Sequence, residues 1–174
     1  MREIKFRAWN SSISVLSNVI EIRFNQNSIL TDDSKFLWDL NKAVLEQYTG
    51  IDDRVGNAVC ENDIVEIEYT AGHHEKWDMD TLARIEDYDD VDTIVRGVVH
   101  IWPSTGVIIN HISSENPEQF VGDYRVPQYL HINRDCIVIG NIHENVDLLV
   151  GDNDHISPDD IGNDIHEFLH GGDK

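Results

Sequence analysis

His166, Glu167 and His170 carry the spacing of a zinc site. In His-Glu-x-x-His the two imidazoles stand one helical turn apart, and the glutamate serves as general base. The surrounding sequence supplies the helix that this motif needs. Ser157 is placed to cap the first turn, Pro158 suits the first helical position, and Asp159 and Asp160 face the positive end of the dipole. Ile161, Ile165, Phe168 and Leu169 then fall on one stripe, and Gly171 suits the C-terminal cap. Against the metal, residues 171–174 offer no third imidazole or thiolate, and Phe168 and Leu169 are core-like. With nine histidines in the chain, so short a pattern also arises by chance. A zinc-dependent hydrolase built on His166, Glu167 and His170 is therefore an alternative, and the leading reading has no cofactor.

No other constellation assembles. The chain has no P-loop, no dinucleotide-binding glycine pattern and no Gly-x-Ser-x-Gly. Carboxylates are too abundant for one pair to stand out as acid and base. Asp87, Asp89, Asp90 and Asp92 lack the glycine and terminal glutamate of a calcium loop. His73-His74 reads as a solvent-exposed pair. The leading expectation is a protein that binds and does not catalyse.

Charge narrows the partners. The 174 residues hold 33 acidic side chains against 13 basic ones, a formal net charge of -20. Such an excess repels phosphate backbones and anionic membrane surfaces, and leaves basic protein partners, metal cations or simple solubility open. Eight of the acids fall in residues 70–93, at Glu75, Asp78, Asp80, Glu86, Asp87, Asp89, Asp90 and Asp92. This stretch reads as an acidic loop inserted between two strands, with a helical turn around Met79 to Ile85. Aromatic groups flanked by acids suit an interface. The candidate surface is thus Trp77, Glu86, Asp87, Tyr88, Asp89 and Asp90, whereas Trp38 reads as a cap on the core. Cys60 and Cys136 lie in apolar runs and read as buried free thiols. No segment has transmembrane length, and the expected location is the cytoplasm.

The elements that must position these groups are short strands. Residues 3–9 alternate, with Ile4, Phe6 and Ala8 to one side and Glu3, Lys5, Arg7 and Trp9 to the other. Strand patterns recur at residues 19–24, 45–49, 64–69, 94–102, 106–109, 129–132 and 136–142, with Gly, Asn and Pro between them. Residues 35–44 fit a helical turn or irregular chain. The fold expected is mainly β, a small barrel or a pair of barrel-like sheets by analogy with SH3-like entries. One domain spans residues 1–150, and residues 151–174 form a linker and an amphipathic helix.

Four blocks then stand out together. They are MREIKFRAW at residues 1–9, LEQYTGIDDRVGNAVCENDIVEIEY at 45–69, RGVVHIW at 96–102 and IVIGNIHENVDLL at 137–149. In this order they resemble the YopX family of small proteins encoded by phages and prophages. The resemblance implies a bacterial host cell and brings no established biochemical role with it. Asn62 stands where the family usually has Gly, so the turn there is expected to need a positive φ. His143 stands where an aromatic is usual. The acidic insertion and the terminal helix lie outside the common pattern. The function expected is a protein-binding accessory module, homo-oligomeric, and the inhibitor alternative makes the acidic surface a mimic of nucleic-acid phosphates.

Overall fold

Alternating side chains build two antiparallel sheets in a computed structural model that describes residues 3–33, 36–70, 73–89, 92–115 and 128–149. The strands are β1 (Phe6–Asn10), β2 (Val15–Arg23), β3 (Ser28–Thr31), β4 (Trp38–Asp39), β5 (Ala43–Asp52), β6 (Ala58–Cys60), β7 (Asp63–Thr70), β8 (His73–Trp77), β9 (Arg84–Asp89), β10 (Asp92–Trp102), β11 (Gly106–Ser114), β12 (Leu130–His131) and β13 (Ile137–Asn141). The first sheet has the order β4-β3-β2-β1-β5-β6 and the second β12-β11-β10-β7-β13. Short 3-10 turns lie at Phe24–Gln26, Leu40–Lys42 and Val146–Leu149. The protein is mainly β, as its sequence reads, but the sheets stay open and close into no barrel. The expected terminal helix lies outside the described residues. Among those residues no helix is long and apolar enough to cross a membrane.

The first sheet buries Ala8, Ile29 and Trp38 on one face, so Trp38 does sit on a core. The second sheet is covered on both faces. Consecutive residues of a strand point opposite ways, and Ile64 and Val65, like Val98 and Val99, divide between two clusters. Val65 and Val99 pack with Val59, Ile109 and Cys136, while Ile64 and Val98 pack with Ile142 and Leu149. Cys60 and Cys136 are buried free thiols. Both sides of β1 are covered. Arg7 and Trp9, on the side opposite Ala8, are largely buried, whereas Ile4 is exposed. The alternation is real, but the loops and strands of the second sheet cover the polar face.

Residues 70–93 also differ from expectation. The expected helical turn around Met79 to Ile85 is reduced to one turn at residues 78–82, and β8 and β9 pair as a hairpin. Their register, His73 opposite Asp89, continues that of β7 with β10, where Thr70 lies opposite Asp92. The end of the hairpin is a single turn, closed by the Leu82 amide on the Asp78 carbonyl at 2.8 Å. The turn does not propagate because Leu82 is left-handed, at φ 55.

β10 and β11 approach closely at Gly97, where the register shifts. A Cβ there would meet the Asn110 carbonyl oxygen at 2.9 Å and Ile109 Cβ at 3.0 Å. Gly97→Ala is expected to cost ~1–3 kcal/mol by overpacking, read as a lower urea midpoint; an unchanged midpoint would show that the two strands can separate freely.

Candidate functional site

Polar residues from three of the four blocks converge on one guanidinium. Arg7 on β1 lies directly opposite Glu46 on β5, and its Nε donates to Glu46 Oε2 at 2.6 Å. Its Nη1 pairs with Asp63 Oδ1 at 2.6 Å, and its Nη2 donates to the Glu61 carbonyl at 3.0 Å. Glu46 is fully buried, and its second oxygen accepts from Asn62 Nδ2 at 2.9 Å. The same oxygen lies 2.7 Å from His143 Nε2. Asp63 Oδ2 in turn accepts from the Cys60 amide at 2.7 Å. Every link but that of Cys60 with Asp63 joins distant parts of the chain, and those to Asp63 and His143 tie the first sheet to the second.

Local sequence explains how each member is held. Asn62 has φ 65, which lets the chain turn between β6 and β7 and aim its side-chain amide at Glu46 and the Asp63 carboxylate at Arg7. The Asn62 amide donates to the Val99 carbonyl, and its own carbonyl accepts from the Ile142 amide. After β13, Asn141 Oδ1 accepts from the amides of His143 and Glu144, and Asn145 Oδ1 accepts from the Asn141 amide. A Cβ at Gly140 would stand 2.6 Å from Asn145 Oδ1, so that loop needs its glycine. The His143 ring stacks on Trp9 at 4.7 Å between centroids and 7° between planes. Farther along, Asp53 accepts from the Val55, Asn57 and Val138 amides, which ties the turn after β5 to β13.

The sequence-derived candidates sit elsewhere. Trp77 ends β8 opposite Arg84 and is half-exposed. Glu86, Asp87, Tyr88 and Asp89 lie along β9, so the hairpin gathers five of the six residues chosen for an interface. Asp90 lies outside the described residues, as do His166, Glu167 and His170. Among the described residues, no three His, Cys, Asp or Glu side chains are grouped to hold a metal.

A family model for the YopX protein matches residues 5–150. The chain belongs to the YopX family. No curated protein matches it. Among solved structures it is similar to the crystal structure of protein EF1440 from Enterococcus faecalis, at 20% identity and a TM-score of 0.45, over 86% of this chain and 100% of that one.

The YopX-like blocks thus supply Arg7, Glu46, Asn62, Asp63 and His143 to one clasp. Sequence reading marked Asn62 and His143 as departures but placed neither at a site, because contacts across 97 positions, as between Glu46 and His143, leave no local signal. Electrostatically the clasp sets one guanidinium against two carboxylates. Burial works to raise Glu46, yet the His143 hydrogen bond and the Arg7 charge outweigh it and hold that carboxyl below its usual range. Burial pushes Asp63 up to about 6 against the pull of Arg7. Burial also pushes the Cys60 thiol up to about 11, far from a nucleophilic thiolate. A carboxylate beside an imidazole is a general-base arrangement, but here Glu46 is sealed from solvent. The cleft lined by Gln26, Asn27, Trp38 and Asn41 and the smaller one lined by Arg54, Glu66, Glu68 and Asp135 include none of the clasp residues.

A second buried polar group lies on β10. Burial and the nearby His111 push His100 down to about 4, which keeps its ring neutral at physiological pH. Its Nε2 and the Oδ1 of Asn110 have no hydrogen-bond partner.

Removing the cation should expose the cost of the clasp. Arg7→Met leaves two buried carboxylates uncompensated, with an expected loss of ~3–5 kcal/mol at pH 8. The pH dependence has a definite sign. A carboxyl raised in the fold favours folding below its unfolded pKa and loses that contribution as pH rises through its folded value. Without Arg7 both carboxyls rise, so the deficit of Arg7→Met should shrink as pH is lowered through 6 towards 5. Urea titrations at the two pH values measure it, and a deficit that is small or independent of pH would contradict the clasp.

Proposed function

We propose that this chain is a non-enzymatic accessory protein of phage or prophage origin, working in the bacterial cytoplasm by binding a protein. One observation carries the reading: the motif side chains Arg7, Glu46, Asp63 and His143 are occupied with one another inside the molecule. Their chemistry is spent on holding two sheets in a fixed relation, which suits a rigid scaffold. The net charge of -20 supports a basic protein as partner over nucleic acid or an anionic membrane.

Capture from host lysate by the immobilised full chain tests this. The expected result is one protein retained in stoichiometric amount, released by high salt, that captures the chain in return. Should that protein be a nucleic-acid enzyme inhibited by the chain, the acidic surface acts as a phosphate mimic. Turnover of a substrate by the purified chain, lost on Glu46→Gln with the fold retained, would contradict the proposal.

A further inference from the structure

Apolar side chains crowd the end of the β8–β9 hairpin. Trp77 and Ile85 are about half-exposed there, while Met79 is 83% and Leu82 73% exposed. An isolated two-stranded ribbon is marginal in water, and among the described residues no third strand pairs with β8 or β9. The hairpin stands because its register is inherited from β7 and β10.

Leu82 makes the point sharply. Its left-handed backbone suits Gly or Asn, and a leucine there costs roughly 1 kcal/mol or more. A buried leucine would offset that cost by packing, but this one lies open to solvent. The Asp78 side chain builds the turn by accepting from the amides of Asp80 and Thr81, both at 2.9 Å. The result is a well-formed turn that displays apolar groups instead of hiding them.

The surrounding charge selects the occupant. The stretch from residue 73 to 89 holds Glu75, Asp78, Asp80, Glu86, Asp87 and Asp89 against Lys76 and Arg84. A second copy would bring the same acidic ribbon and the same net charge to the contact, and would be repelled. A nucleic acid or an anionic lipid surface meets the same repulsion. A pocket that is apolar at its floor and rimmed with Lys and Arg matches both features.

We infer that the hairpin tip, with Trp77, Met79, Leu82 and Ile85, docks into an apolar pocket on a basic protein. The inference rests on the protein-binding reading above and names its working surface.

The test selects short random displayed peptides on the immobilised full chain. Selected sequences should combine Lys or Arg with aliphatic or aromatic residues. A synthetic peptide from that set should bind less tightly at higher salt. The variant Met79→Ser with Leu82→Asn should weaken it roughly tenfold or more. Both changes lie at exposed positions, and Asn suits the left-handed backbone, so the variant should keep the wild-type urea midpoint. No enrichment, enrichment without basic residues, or equal binding by the variant would overturn the inference. Self-association abolished by the variant would overturn it too, in favour of a second copy. If a lysate partner is retained equally by the variant, the protein-binding reading stands and the tip assignment falls.

Discussion

A guanidinium between two buried carboxylates is stable only when all three groups are present and aligned. Taking Glu46 and Asp63 out of water costs several kcal/mol for each ion, and their attraction to Arg7 repays it only with good geometry and further hydrogen bonds. Those bonds come from Asn62, His143 and the Cys60 amide. Cys60 and Asn62 share the turn after β6 and His143 lies in the turn after β13, so both turns and the pairing of β1 with β5 must all be correct together. The clasp therefore works less as a source of stability than as a check on register. A one-residue slip of β1 would move Arg7 to the apolar side and leave both acids unpaired.

This constraint divides the molecule by role. The body carries its polar motif residues inward, where they hold the sheets, and the hairpin of β8 and β9 presents Met79, Asp80 and Leu82 to solvent. The YopX family match runs over residues 5–150 and so spans both parts, and the clasp residues lie within the YopX-like blocks.

Much of the body was legible in the sequence. Period-two alternation located most strands, the turn at residues 103–105 was placed between β10 and β11, and a positive φ at Asn62 was expected because the family it resembles usually has Gly there. On β1, alternation reports two sides of the strand and not what covers each. Arg7 and Trp9 look solvated until Asp63 and His143, from distant segments, are brought against them. The ribbon was missed for the opposite reason. His-His-Glu-Lys-Trp and Arg-Ile-Glu-Asp-Tyr-Asp have little β propensity, and their pairing follows from the strands that feed them. His143 was noted only as a substitute for an aromatic, and in the fold it both stacks on Trp9 and bonds to Glu46.

Native-state hydrogen exchange on the intact protein tests the clasp most directly, by comparing amides of β1 and β5 with those of β7 and β13. If Arg7, Glu46 and Asp63 bind the sheets into one unit, the slowest amides of both should exchange through a single opening, with the same free energy and the same denaturant dependence. Distinct opening energies for the two sheets would contradict it, and would make the clasp a contact between bodies that stand independently.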